Sequence, residues 1–129
     1  MIYYQNNISY EGDFINGDCE GNGKLIFPSG NYYIGEFHKN ERHGKGIMFS
    51  SENKIIYDGN FENDGYNGEG KLLINNDNYY DGIFKDGKRN GHGVIFDQYS
   101  NILFEGQFFN DKFEGNFKIF ENNKYCIGE

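Results

Sequence analysis

The chain has 129 residues, 36% of them hydrophobic, and a mean hydropathy of -0.81, which is too polar for a thick central core. Its apolar area sits in rings, 13 Phe and 11 Tyr with no Trp, alongside 19 Gly and one Pro; that composition suits strand surfaces and excludes a disordered polar chain. The formal charge of -8 at pH 7 repels phosphate backbones and anionic lipid at long range, so nucleic acid is not expected as a partner.

Met1 to Asn7 has neither the basic start nor the apolar run of a signal peptide, and no stretch reaches the length of a membrane span. The expected location is cytoplasmic, in association with the cytoskeleton or a membrane surface. Ile2 and Tyr4 precede Tyr10 as Leu25 and Phe27 precede Tyr33, so residues 1–9 read as a half repeat.

The first full block is Tyr10-Glu11-Gly12-Asp13-Phe14, whose aromatic, glycine and Phe share one face of an extended strand. Gly12 leaves a slot there for rings leaning in from neighbouring strands. Ile15 to Gly21 carries the Asn, Asp and Gly of a turn. A second strand follows, with Gly23, Leu25 and Phe27 continuing the aromatic face, Lys24 and Ile26 pointing away, and Pro28 to Asn31 turning into the next block.

The pattern returns as Tyr33-Ile34-Gly35-Glu36-Phe37, Tyr57-Asp58-Gly59-Asn60-Phe61, Tyr80-Asp81-Gly82-Ile83-Phe84 and Phe104-Glu105-Gly106-Gln107-Phe108. Each copy brings a glycine pair, Gly21/Gly23, Gly44/Gly46, Gly68/Gly70 and Gly91/Gly93, until the last decays to Gly115 and Phe117. Gly12 to Gly35 is 23 residues, Gly35 to Gly59 is 24, Gly59 to Gly82 is 23 and Gly82 to Gly106 is 24. Self-similarity at that period is a repeat array. Its repeats run 10–32, 33–56, 57–79, 80–103 and 104–124, with a second half repeat at 125–129, in one array over 1–129.

The predicted fold is all-β, an elongated single-layer antiparallel meander of tandem β-hairpins, about five with half repeats at both ends. At roughly 4.8 Å between strands, each hairpin advances about 9.5 Å and five make a rod of about 48 Å. Cys19 and Cys126 then lie far apart and are expected as free thiols.

A longer period underlies the first. Gly12, Gly59 and Gly106 are 47 apart, as are Lys24, Lys71 and Lys118, and Phe49 with Phe96 and Ile55 with Ile102 keep the same interval. Even tips are basic, with Lys39, Arg42, His43 and Lys45, then Lys88, Arg89 and His92. Odd tips are acidic, with Asp18 and Glu20, Asp64 and Glu69, and Asp111 and Glu114. Tips on one edge would alternate in charge.

The sequence Tyr-x-Gly-x-Phe, a turn, His-Gly-x-Gly and an apolar strand, plainest from Tyr33 to Phe49, resembles the MORN (membrane occupation and recognition nexus) repeat over nearly the whole chain. The His before the glycine pair is present only as His43. The resemblance implies an elongated single-layer β-meander with an aromatic groove. It also implies a scaffold of cytoskeletal, ciliary or cell-division assemblies, a module of lipid kinases or methyltransferases, or binding to acidic phospholipid.

No catalytic chemistry is legible. Gly44-Lys45-Gly46 has no following helix to make a phosphate loop, Asn63 to Glu69 fits no EF-hand, and His38, His43 and His92 have no cysteine companions for zinc. No nucleophile is set beside a repeated His and Asp, so the reading is a protein without enzyme activity, cofactor or metal.

The preferred reading is a scaffold whose partner protein, an amphipathic helix, lies on the aromatic face over Tyr33, Phe37, Tyr57, Phe61, Tyr80 and Phe84, with the phenol tips half open to water. The alternatives are weak anion or lipid binding at Arg42, His43, Lys45, Lys88, Arg89 and His92, and a regulatory module of a larger enzyme. Open strand edges at the ends suggest a homodimer through a terminal repeat.

Overall fold

Five two-residue turns set the strand register. Asn16-Gly17, Lys39-Asn40, Asn63-Asp64, Asp86-Gly87 and Asn110-Asp111 all have positive φ at both positions, from 47° to 85°. This is the type I′ geometry whose twist matches that of paired strands, and Asn, Asp and Gly adopt it most readily. The computed structural model describes residues 2–5, 8–75, 77–121 and 124–128, with side chains over 8–75 and 77–114. Readings placed on the side chains of Ile2, Tyr4, Gly115, Phe117, Lys118 and Tyr125 to Glu129 lie outside the described side chains.

The strands are β1 Ile2–Gln5, β2 Ile8–Ile15, β3 Asp18–Ile26, β4 Tyr32–His38, β5 Glu41–Phe49, β6 Ile55–Glu62, β7 Gly65–Leu73, β8 Tyr79–Lys85, β9 Lys88–Phe96, β10 Ile102–Phe109, β11 Lys112–Glu121 and β12 Lys124–Gly128. No helix occurs among the described residues, hence none long and apolar enough to cross a membrane. The chain divides into two compact units, Met1–Gly65 and Tyr66–Glu129. In each, neighbouring strands pair antiparallel in chain order, and the sheet is open rather than closed into a barrel. The expected all-β, single-layer meander of hairpins is the fold observed.

The turns are tighter than the sequence suggested. Ile15 to Gly21 reads as one loop, yet only Asn16 and Gly17 turn, and Asp18 onward is strand. The remaining irregularity is a bulge. In the first hairpin Gly12 pairs with Gly23 but Phe14 pairs with Cys19, so two steps on β2 face four on β3. The same shift follows Gly35 and Gly82. The first glycine of each pair sits inside the bulge with φ of +75° at Gly21, +68° at Gly44 and +103° at Gly91, backbone that a side chain strains.

Each unit buries one row of rings. In Met1–Gly65, Tyr10 meets Phe14 and Phe37, Tyr33 meets Phe37 and Phe61, and Tyr57 meets Phe61, all edge to face with centroids 4.9 to 5.1 Å apart. In Tyr66–Glu129, Tyr80 meets Phe84 at 5.2 Å and Phe108 at 5.1 Å, and Phe104 continues the row to Phe108 at 5.7 Å. A one-layer sheet hides these side chains because they lie flat along it.

Candidate functional site

The second glycine of each pair lets a tyrosine lie down. A Cβ built at Gly46 would overlap the hydroxyl end of the Tyr33 ring, and one at Gly93 that of the Tyr80 ring. The slot at Gly35 is slightly wider but still closed to a side chain, with Gly46 Cα and Tyr33 Oη both 2.5 Å from a built Cβ. It is filled by the tyrosine of its own repeat, which corrects the expectation of rings leaning in from other strands. The phenol then arches over the glycine and donates to the carbonyl three residues on: Tyr10 to Asp13 at 2.8 Å, Tyr33 to Glu36 at 2.8 Å, Tyr57 to Asn60 at 2.8 Å and Tyr80 to Ile83 at 3.0 Å. In the hairpins of Tyr10, Tyr33 and Tyr80 that carbonyl belongs to the residue the bulged register skips, so the hydroxyl serves an acceptor the hairpin ladder leaves aside.

This geometry corrects the expected binding face. Tyr33, Tyr57 and Tyr80 are 0% exposed, and Phe37, Phe61 and Phe84 are 2 to 4% exposed, so these six rings are the packing core rather than an open stripe. The phenols were expected to keep their tips in water; a carbonyl on the same strand satisfies them instead. Burial raises the pKa of Tyr10 from about 10 to about 12, with Cys19 and Asp13 adding to it. Burial also raises Tyr33 and Tyr80, while Arg42 and Arg89 respectively pull the other way.

A folded pKa raised above the unfolded one means the native state keeps the proton longer, so this stability is complete below pH about 10 and is lost as pH rises toward and past 12. An alkaline titration followed by phenolate absorbance and by circular dichroism should show the buried tyrosines ionising only as the sheet melts. Ionisation of every tyrosine at its ordinary pKa with the sheet intact would refute this packing.

The tips are stapled in series. Within Met1–Gly65, Asn40 Nδ2 donates to Asp18 Oδ1 at 2.8 Å and the Cys19 amide to Asn40 Oδ1 at 2.8 Å. Arg42 Nε donates to Asp64 Oδ1 at 2.7 Å, its Nη2 to the Asp64 carbonyl at 2.6 Å, and its amide to Oδ1 at 3.0 Å. Within Tyr66–Glu129 the same residues recur 47 positions on: Arg89 Nε to Asp111 Oδ1 at 3.2 Å, Nη2 to the Asp111 carbonyl at 3.0 Å, and the amide to Oδ1 at 2.7 Å. The Arg42 guanidinium also covers Phe27, Tyr33 and Phe61 at 5.4 to 5.9 Å, and Arg89 covers Tyr80 at 5.7 Å and Phe108 at 4.9 Å.

The residues expected to bind anions are therefore dispersed among several tasks. Arg42 and Arg89 close the ring rows and neutralise the neighbouring acidic tips. His92 Nε2 lies 3.1 Å from Glu105, while His43 is exposed beside His38 at 5.6 Å between ring centroids. Lys45 and Lys88 are exposed, and the Lys45 amide donates to Glu36 Oε2 at 2.7 Å. Cys19 is a free thiol whose pKa is raised by burial and by Asp18, and Cys126 lies outside the described side chains. No cluster of three or more His, Cys, Asp or Glu suited to a metal occurs among the described residues.

Sequence reasoning missed the other face. There Tyr32 stacks on Phe49 at 4.8 Å and 15°, Lys24 Nζ stands 4.7 Å over the Tyr32 ring, and Tyr79 with Phe96 repeats the pair at 6.0 Å and 24°. The recurrence of Phe49 and Ile55 at 47 residues was the available signal. Comparison with known families matches the MORN repeat at residues 10–32, 33–53, 57–79, 80–96 and 104–116. The five starts coincide with those read from the glycine period.

Proposed function

Because the chain belongs to the MORN repeat family, we propose that it is a scaffold holding a partner protein in a cytoskeletal, ciliary or cell-division assembly of the cytoplasm. The family and the side-chain chemistry fit a non-enzymatic repeat protein. The partner segment is an amphipathic helix laid on the ring side. One observation supports this placing: half-buried or exposed apolar side chains flank the buried rings, with Phe14, Leu25 and Phe27 in Met1–Gly65 and Tyr66, Leu72 and Phe113 in Tyr66–Glu129. They supply the contact area that Tyr33, Tyr57 and Tyr80 do not.

Immobilised chain should capture its partner from the native cell, and Phe27→Asp with Phe113→Asp should abolish capture while the strand spectrum persists, with some loss of Tm because Phe113 also touches Phe104 and Phe108. Anionic vesicles at physiological salt should leave the chain in solution, since Arg42 and Arg89 are engaged and the net charge is -8. Capture unaffected by the Phe changes, or vesicle binding abolished by Lys45→Glu with Lys88→Glu, would move the working surface to the tips.

A further inference from the structure

The face of Met1–Gly65 opposite its rings is self-complementary, and we propose that it is the contact of a face-to-face homodimer. The proposal goes beyond the scaffold reading and uses the other side of the sheet. Three cross-strand rows cover this face on β3, β4, β5 and β6. The first is Ile26, Tyr32, Phe49, Ile55; the second Lys24, Ile34, Ile47, Asp58; the third Asn22, Glu36, Lys45, Asn60. Glu36 and Lys45 belong to the third row as neighbours across the β4–β5 register shift.

A two-fold axis parallel to the strands, lying between two facing copies over the β4–β5 seam, exchanges β4 with β5 and β3 with β6 while leaving each row in place. Every row then meets a chemical match. Tyr32 faces Phe49 of the second copy and Ile26 faces Ile55; Ile34 faces Ile47 and Lys24 faces Asp58; Glu36 faces Lys45 and Asn22 faces Asn60. An isologous interface requires this reciprocity, and sheets packed face to face keep their strands roughly aligned, as the axis demands.

The apolar centre is available. Ile34 is 46% exposed, Ile26 37% and Ile55 39%, and Tyr32, Ile47 and Phe49 are half-buried. Four strands at about 4.8 Å and three rows about 6.8 Å apart give a footprint of roughly 400 Å² per copy in projection. That is below the size of a stable specific interface and in the range of weak, transient ones, which sets the dimer in exchange with monomer.

The chain contains its own negative comparison. The equivalent face of Tyr66–Glu129 keeps Lys71, Leu73, Tyr79, Val94, Phe96, Ile102 and Glu105 in the matching places, but Asp81 replaces Ile34 and Ile83 replaces Glu36. The same axis there would set the Asp81 carboxylate, which has Lys71 beside it on its own sheet, against Val94 of the second copy and Ile83 against His92, so neither meets a chemical match and the carboxylate loses water for an apolar contact. Self-complementarity is confined to the first unit.

Sedimentation equilibrium of the full chain over rising concentration tests this. A reversible monomer–dimer equilibrium is expected, and Ile34→Asp, which copies Asp81 beside the same cross-strand lysine, should raise Kd about 100-fold or more with melting unchanged. Lys24→Asp should weaken the dimer about 10-fold by meeting Asp58 of the second copy, and Lys24→Asp with Asp58→Lys should recover it. A monomer at every concentration overturns the proposal, as does a dimer indifferent to Ile34→Asp, the result a terminal-strand contact gives. Failure of the exchanged pair to recover association in a chain of normal melting overturns it too.

Discussion

Tyr33→Ala is expected to remove about 3 to 5 kcal/mol of stability, the range for deleting a large buried ring. Tyr33 is 0% exposed, stands edge-on to Phe37 at 5.1 Å and Phe61 at 4.9 Å, and underlies the Arg42 guanidinium at 5.9 Å. Its loss opens a void against Gly35 and Gly46, two backbones with no side chain to move into it. Tyr33→Phe keeps the ring and removes only the donor to the Glu36 carbonyl, for about 1 to 2 kcal/mol. Ile34→Ala, one residue along on the exposed face, should stay within about 0.5 kcal/mol. Urea unfolding followed by circular dichroism ranks the three. If Tyr33→Ala is no more harmful than Ile34→Ala, the ring row is not the core.

Gly46→Ala is the second large effect, about 1 to 3 kcal/mol from over-packing and at the top of that range. The added methyl clashes with the hydroxyl end of the Tyr33 ring; the ring cannot retreat without breaking its bond to Glu36, and the backbone is fixed by pairing with both Gly35 and Gly59. A loss of about 5 °C or more in Tm follows. Gly65→Ala is the matched comparison, because a Cβ there meets nothing closer than 3.9 Å and should leave Tm nearly unchanged. Combining Gly46→Ala with Tyr33→Ala should cost less than the sum, since the methyl enters the void the ring vacates. Additive losses would mean that the two residues do not touch.

The two glycines of each pair look alike in sequence and do different work. Gly44 is needed for a left-handed backbone inside a bulge, while Gly46 is needed for the space under a ring. Periodicity identifies both as recurring in four copies, but only the register shift between Gly35 and Phe37 separates them. The charge of the tips was likewise legible, and its use was not. Arg42 and Asp64 lie 22 residues apart on successive tips, and the bidentate clasp between them follows from strand spacing rather than from either neighbourhood.

The hairpin unit, its 23/24 and 47-residue periods, the antiparallel order and the MORN identity are legible along the chain, because period-2 alternation and turn residues are local properties. Which apolar residues pack the fold depends instead on strand pairing. A tyrosine two residues before a glycine could stand up into solvent or lie across the strand pair, and the choice rests on a carbonyl freed by a bulge in the same hairpin. That bulge forms only once β4 and β5 have paired, which is why Tyr33 turned from a binding stripe into a core, with Tyr80 repeating it over β8 and β9, while Ile34 on the other face stays exposed and Ile47 and Phe49 half-buried.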